Sequence, residues 1–244
     1  MDYFNSHYDK ITIGELKQIS VKNSRELENI KNIAIDGKKI VIEGPPVVFI
    51  KKTVGNYEFR LDGKVSENKR FCKFTNHFVH HISDSALNLA IEMYGDNLNT
   101  STLRKKFSPI VMKKESKKGN MFLINALLYN IPKKDIDGNK IPVLGTEIYS
   151  MNGDKKRYEK DIKAEEFAKK YKPGTKFIPE FIFTSIKFSR NGKIKVLVSF
   201  KSLRLTEPST DQNDKEYVYS DDEYDDEAEE ETSREAREAP ETKV

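Results

Sequence analysis

The first residues in this sequence that could do chemistry are two aspartates, Asp135 and Asp137. They lie two residues apart in a predicted loop, and carboxylate oxygens are ligands that Mg²⁺ accepts. A nuclease built on this pair would need that ion. However, Asp, Gly and Asn in the segment 136–139 are also ordinary turn residues. We favour the turn and predict no magnesium site.

A second group combines Cys72 with His77, His80 and His81, three of which would fall close together on a helix. Their spacing matches no standard zinc pattern, and both residue types are common in ordinary packing. The chain also lacks a phosphate-binding Gly-rich loop, a dinucleotide fingerprint and a Gly-x-Ser-x-Gly elbow. We therefore expect a protein that is not an enzyme and that uses no metal and no cofactor.

The third group consists of lysine and arginine clusters beside aromatic residues. Single-stranded nucleic acid requires this combination, because cations follow the phosphates while exposed rings stack on unpaired bases. Duplex DNA requires the charge but not the rings. The alternative is that the rings form the core and the lysines only solvate the surface. The predicted DNA-binding residues are Lys51, Lys52, Tyr57, Phe59, Lys69, Arg70, Arg104, Lys105, Lys113, Lys114, Lys117, Lys118, Lys155, Arg157, Phe181, Phe183, Lys187, Lys195 and Lys201.

Charge is distributed unevenly along the chain. Residues 207–244 contain 16 acidic and 4 basic residues, a net charge of −12, whereas residues 1–206 contain 23 acidic and 39 basic residues, a net charge of +16. This composition predicts a disordered acidic tail on a cationic domain. Tyr217, Tyr219 and Tyr224 add rings to the tail, so it would mimic single-stranded DNA and compete with it. The densest acidic run is Asp221, Asp222, Glu223, Asp225, Asp226, Glu227, Glu229, Glu230 and Glu231.

Short apolar runs separated by turns predict a mainly β domain with a few helices. The predicted strands are 39–43, 47–53, 57–61, 110–113 and 121–129, and the predicted helices are 24–33, 78–94, 100–107 and 164–171. No regular βαβ alternation occurs. We therefore predict an OB-like antiparallel barrel over residues 1–206, with a lead-in at 1–35 and a long inserted loop at 130–162.

The pattern of segment 177–205 predicts a β-hairpin that turns at Arg190, Asn191 and Gly192. A two-residue turn would mix apolar and polar residues on each face. A three-residue loop with Gly192 left-handed gives one consistently apolar face, so we predict this loop. The opposite face would then carry Phe181, Phe183, Ser185 and Lys187 beside Lys195, Leu197, Ser199 and Lys201.

This hairpin resembles the closing hairpin of single-stranded DNA-binding proteins of large nucleo-cytoplasmic DNA viruses. The similarity lies in the Gly174-led strand, the Asn191-Gly192-Lys193 turn and the final strand at 198–203, with weaker similarity in 94–109 and 121–128. The resemblance implies an OB-like fold that binds single-stranded DNA without sequence preference. The acidic tail is similar to those of phage-type single-stranded DNA-binding proteins.

The chain departs from this family in two respects. It contains no Trp, and Ile186 and Phe188 stand where a bulky aromatic step is expected. The tail ends in Ala239-Pro240-Glu241-Thr242-Lys243-Val244 rather than in an acidic-aromatic terminus. The first departure bears on stacking at that step, and the second bears on how the tail would recruit partners.

Together these features predict a sequence-nonspecific single-stranded DNA-binding protein of viral or mobile-element origin that acts in replication or recombination. Its tail would recruit replication proteins. A duplex-binding or histone-chaperone-like protein and an RNA-binding transcription or processing factor are the alternatives, and a homo-oligomer is left open. With one cysteine and no apolar run long enough for a bilayer, we expect a soluble intracellular protein without membrane contact. A viral protein would act in a cytoplasmic or nuclear replication compartment of its host.

Overall fold

The structure, a computed structural model, describes residues 3–53, 56–95, 97–116, 119–124, 126–128, 130–134, 138–159, 162–163 and 166–206. Most of its regular structure is β, which confirms the prediction of a mainly β fold with a few helices. The strands are β1 Tyr3–His7, β2 Ile19–Asn23, β3 Ile30–Ile35, β4 Lys39–Glu43, β5 Val47–Thr53, β6 Asn56–Leu61, β7 Val111–Ser116, β8 Gly119–Ile124, β9 Ala126–Leu127, β10 Asn130–Lys134, β11 Lys140–Leu144, β12 Glu147–Asn152, β13 Lys155–Glu159, β14 Lys176–Phe188 and β15 Ile194–Leu205. The helices are α1 Ile13–Lys17, α2 Val65–Tyr94, α3 Thr100–Lys106 and α4 Phe167–Lys170.

Two long strands, β14 and β15, form an antiparallel hairpin that organises the main sheet. On the side away from β15, β14 pairs with β5, β4 and β3 at successive positions along its length. On the side away from β14, β15 pairs with β12 and β9. Along the sheet the order is β13-β12-β15-β14-β5-β6-β8-β7, while β10 and β11 form a separate two-stranded sheet. Among the described strands, three pairs are parallel, namely β1 with β4, β9 with β15 and β12 with β15.

The predicted antiparallel barrel is wrong, because the described strands do not form a closed barrel and the sheet is mixed. Several short strands share each edge of the long central hairpin. The sheet therefore branches at β14 and β15 instead of returning to its first strand.

Helix α2 packs along the central hairpin. Phe71 stacks on Phe181 with ring centroids 5.4 Å apart, and the Phe78 centroid lies 4.6 Å from that of Phe183. The helix ends as predicted before Gly95, whose φ of 96° favours glycine. It begins well before the predicted start at residue 78, because the rings of its first half are needed to cover β14.

Whether the remaining helices and strands were predicted correctly depends on whether their partners are near to them in the sequence. The predicted strands at 39–43, 47–53 and 57–61 and the helix at 100–107 are confirmed. Helix α4 lies within the range predicted at 164–171. Adjacent strands and a capped helix leave their pattern in a short stretch of sequence, which is why these elements were predictable.

Two predictions are wrong because distant strands supply the pairing partners. The segment 24–33, predicted as a helix, runs into β3, which pairs with both β2 and β14. The described residues 3–35 thus contribute β1, β2 and β3 to the sheet rather than forming a lead-in. The segment 130–162, predicted as a loop, contains β10 to β13, and β12 joins the edge of β15.

The turn of the central hairpin is the three-residue loop that its sequence predicts. Gly192 has a φ of 78°, in the left-handed region, and Ser189 and Lys193 close the loop through a backbone hydrogen bond of 2.9 Å. Phe188 consequently lies opposite Ile194, as the prediction requires.

A β-bulge in β14 then changes which side chains face the core. Thr184 has no Cα partner on β15, and the register shifts between Phe183 and Ser185. One extra residue reverses the alternation of side chains. Phe181 and Phe183 therefore lie on the core face of the hairpin, against α2, and the prediction that they share a face with Lys187 is wrong.

Candidate nucleic-acid interface

The four aromatic residues that the sequence predicts to bind DNA all lie in the core. Phe59, Phe181 and Phe183 have no exposed surface, and Tyr57 exposes 9% of its surface. Phe59 packs on Phe200, with ring centroids 4.7 Å apart. Stacking on a base requires an exposed ring. The expectation that these four rings are available for stacking is therefore wrong.

The outer face of the central hairpin is the face turned away from α2. Its side chains alternate with those of the core face along both strands. On β14 Ile182 and Ser185 are buried, whereas on β15 every outward side chain except Ser202 is exposed or half-buried. The outer face consists of Lys176, Ile178, Glu180, Ile182, Ser185 and Lys187 of β14 and Lys195, Leu197, Ser199, Lys201, Ser202 and Arg204 of β15.

At one end of the outer face, strand register places four side chains in a row. Tyr158 of β13 lies opposite Tyr149 of β12, which lies opposite Arg204 of β15, and Arg204 lies opposite Ile178 of β14. Directly paired residues point to the same side of a sheet. Both tyrosines and the guanidinium therefore lie on the outer side.

We call Tyr149, Lys156, Tyr158 and Arg204 the platform. Tyr158 is 47% exposed, and its ring centroid lies 5.5 Å from that of the nearly buried Tyr149. The Lys156 Nζ lies 4.7 Å from the Tyr149 centroid, within range of a cation–π interaction. Tyr149 therefore contacts both the ring of Tyr158 and the ammonium group of Lys156, two exposed residues.

The predicted DNA-binding residues include Lys155 and Arg157 of this region but none of the four platform residues, because the sequence does not show which side chains share a face. A signal was present, since Lys155-Lys156-Arg157-Tyr158 combines cations with a ring and Tyr149 precedes it by nine residues. Only the pairing of β12 with β13 and β15 brings these side chains together.

Two acidic side chains near the outer face, Glu180 and Asp62, are paired with cations. Glu180 accepts hydrogen bonds from Lys201 Nζ at 3.2 Å and from Ser202 Oγ at 2.8 Å. Asp62 lies 3.0 Å from Arg60 and 3.3 Å from Lys176. Within the described part of the chain, Lys156 and Arg204 have no such ion pair. Lys156 and Arg204 therefore carry their charge without a direct ion pair, and Glu147, the acidic residue of β12, lies on the same side of the sheet, opposite Ser202.

The structure does not gather all the predicted cations on one surface. Lys187 and Lys195 lie directly opposite each other at the turn end of the outer face. Lys155 and Arg157 point to the other side of β13 from the platform. The others are dispersed: Lys51 and Lys52 on β5, Lys69 and Arg70 on α2, Arg104 and Lys105 on α3, and Lys113 and Lys114 on β7.

Several of these cations already have acidic partners. Arg104 donates to both carboxylate oxygens of Asp84 at 2.8 and 3.1 Å, and Lys113 donates to Glu115 at 2.9 Å. Arg70 lies 3.5 Å from Asp9. Such pairs lower the charge available to a phosphate. Lys117, Lys118 and the acidic run from Asp221 to Glu231 lie outside the described residues.

The metal candidates are not assembled into a site in the part of the chain that the structure describes. Cys72, His77, His80 and His81 all lie on α2, and no group of three or more His, Cys, Asp or Glu side chains among the described residues is placed to hold a metal ion. Burial raises the pKa of the Cys72 thiol to about 11 and lowers the pKa of His81. Asp135 and Asp137 lie outside the described residues.

Among the described helices, none is both long and apolar enough to cross a membrane. No family profile and no curated protein sequence matches the chain.

Proposed function

We propose that this protein binds single-stranded DNA without sequence preference and acts in DNA replication or recombination. The observation that carries the proposal is the exposed ring of Tyr158 beside the cations of the platform. An unpaired base offers its face to such a ring, while Lys156 and Arg204 meet the neighbouring phosphates. In a duplex the faces of the bases are hidden in the stack, so this arrangement favours single strands.

The charge balance supports binding that does not depend on sequence. The net charge of +16 on residues 1–206 attracts a phosphate backbone at long range. Stacking is tolerant of sequence because every base has a π-face. The combination supplies affinity without reading base edges.

The acidic tail is part of the same proposal. Residues 207–244 carry a net charge of −12 and three tyrosines, so they compete with DNA for the cationic surface. Once DNA occupies that surface, the tail becomes available to replication proteins. This competition raises specificity for long exposed strands over short ones.

The experiment that tests the proposal compares Tyr158→Ala with Tyr158→Phe. Fluorescence anisotropy with a labelled oligothymidine should show a loss of about 1 to 3 kcal/mol for the alanine variant, roughly 5-fold to 150-fold in Kd. The phenylalanine variant keeps the ring and should bind within about twofold of the wild type.

Leu27→Ala is a matched control, because Leu27 is 52% exposed and lies in the loop between β2 and β3. It should bind like the wild type. If Tyr158→Ala and Leu27→Ala both bind as tightly as the wild type, the platform is not the stacking site and the proposal fails in this form.

A further inference from the structure

The turn end of the central hairpin carries a second group of cations, which we call the tip cluster. It lies at the opposite end of the hairpin from the platform, with Lys187 and Lys195 on the outer face and Lys106 over the Tyr94 ring of α2. The tip cluster consists of Lys105 and Lys106 of α3, Lys187 of β14, Arg190 and Lys193 of the turn and Lys195 of β15.

The tip cluster stands on a fixed scaffold. The Tyr94 hydroxyl donates to the Ser189 carbonyl at 2.8 Å, which ties the end of α2 to the turn. The Lys106 Nζ lies 5.7 Å from the Tyr94 ring centroid. It also lies close to Gly192, since a Cβ added to that residue would be 3.2 Å from it. Backbone bonding from Ser108 to Ile194 at 2.8 Å holds α3 to β15. The turn and Lys106 are therefore held in place by the fold.

The elements that carry the cluster contain few acidic residues. The acids near it along another element are Glu26 and Glu28 of the β2–β3 loop, where the Asn29 carbonyl accepts a hydrogen bond from the Phe188 N–H at 2.9 Å. In the sequence, residues 97–116 contain one acid, Glu115, which pairs with Lys113, and residues 185–197 contain none. Asp84 pairs with Arg104.

One contact in the cluster works against the stability of the sheet. Lys187 and Lys195 occupy directly opposite positions on paired strands. Like charges in this arrangement repel each other and destabilise the pair. A local conflict of this kind, in an otherwise consistent hairpin, is typical of a functional site.

We infer that a single strand of DNA bound at the platform runs along β15 and contacts the tip cluster through its phosphates. This inference rests on the proposed function. Lys195 and Arg204 are nine residues apart on β15, which corresponds to about 30 Å of strand length. At the roughly 3.4 Å axial spacing that a strand has in duplex DNA, about nine nucleotides span that distance, and a more extended single strand spans it with fewer. Oligonucleotides shorter than the span reach only one of the two groups.

The test is a series of labelled oligothymidines of about 4 to 16 nucleotides, bound to the full-length protein and to Lys187→Thr/Lys195→Thr. Wild-type affinity should rise steeply once the oligonucleotide spans both groups. The double variant should lose roughly tenfold in affinity for the long oligonucleotides and nothing for the shortest ones. Its log–log salt slope for the long ones should fall by about 1.4, or about 0.7 for each lost phosphate contact.

Thermal unfolding distinguishes a binding role from a structural one. Removing two opposed ammonium groups should raise the melting temperature of the double variant while its affinity for long strands falls. The control, Lys17→Gln/Lys73→Gln, removes the same charge from exposed positions on α1 and α2. Its affinity should still rise steeply once the oligonucleotide spans both groups, a rise that we call the length step.

The outcomes separate the two proposals. If wild-type protein binds no oligothymidine, the proposed function itself fails. If it binds without a length step, or if the double variant weakens short and long oligonucleotides equally, the two-contact path is wrong while the platform stands. An equal loss in the control would likewise overturn the path, since net charge alone would explain it.

Discussion

At the scale of single residues, the hydroxyl of Tyr171 has an unusual environment. The residue is 5% exposed and packs on Phe167 and Phe177, with ring centroids 5.0 and 5.4 Å away. Among the described residues its hydroxyl oxygen has no hydrogen-bond partner. Burial, with a smaller contribution from the charge of Glu159, raises its pKa above the ordinary value of 10.0.

Tyr171→Phe should therefore stabilise the protein by about 1 kcal/mol, because it removes a buried polar group that makes no hydrogen bond. Tyr94→Phe is the matched control, since the Tyr94 hydroxyl donates to the Ser189 carbonyl and its loss should destabilise by about 1 kcal/mol. Urea unfolding of both variants at neutral pH measures these changes. A loss of stability in Tyr171→Phe as large as that in Tyr94→Phe would contradict this account.

The raised pKa of Tyr171 gives the same variant a signature at high pH. The unfolded chain ionises this phenol near pH 10, whereas the folded protein keeps it neutral to higher pH. Stability is therefore fully present below pH 10 and is lost as the pH rises through the folded pKa. The advantage of Tyr171→Phe over the wild type should grow above pH 10, by up to about 1.4 kcal/mol per pH unit. A stability difference between Tyr171→Phe and the wild type that stays constant above pH 10 would contradict this prediction.

Residue type alone did not distinguish stacking rings from core rings. Phe181 and Phe183 have the same parity along the strand as Lys187, yet one unpaired residue, Thr184, turns both rings into the core. Tyr158, in contrast, lies in a segment that was predicted to be irregular. Its exposure follows from its position on the edge strand β13, which no local pattern reveals.

At the scale of elements, the central hairpin was predictable where its turn dictates the register. Gly192 adopts a φ of 78°, and the pairs of Phe188 with Ile194 and Ile186 with Val196 follow from it. Further from the turn the bulge breaks the prediction. A bulge depends on how β14 meets three different strands at its other edge, and that information is spread over residues 30–48.

Gly192→Ala should destabilise the protein by about 1 to 2 kcal/mol, because an alanine side chain is strained in the left-handed region. Gly192→Asn should lose less, since asparagine tolerates this conformation. Thermal unfolding of the two variants provides the comparison. If asparagine is as damaging as alanine, the cost comes from contact with Lys106 rather than from the backbone.

At the scale of the whole molecule, composition indicated a cationic body and a mainly β fold, but not the architecture. The sheet is assembled from strands far apart in sequence, as when β12 pairs with β15 more than fifty residues later. Such pairings cannot be inferred from one sequence by pattern alone. The lysine clusters were visible in the sequence, whereas their division among β5, β7, α2, α3 and the outer face was not.

Deletion of residues 207–244 should tighten binding to single-stranded DNA, because it removes a net charge of −12 that competes for the same cations. The gain should be largest at low salt, where electrostatic competition is least screened. Titrations of the full-length and truncated proteins at several salt concentrations would measure it. Equal or weaker binding by the truncated protein at every salt concentration would remove the competition from the account.

The central claim is preference for single-stranded DNA through the Tyr158 platform, and the most direct measurement is a gel-shift competition. Single-stranded DNA, duplex DNA and RNA of equal length compete for the wild-type protein and for Tyr158→Ala. The account predicts that single-stranded DNA wins for the wild type, and that this advantage over duplex shrinks in Tyr158→Ala while duplex binding is unchanged. Equal or tighter binding of duplex DNA or of RNA by the wild type would contradict it.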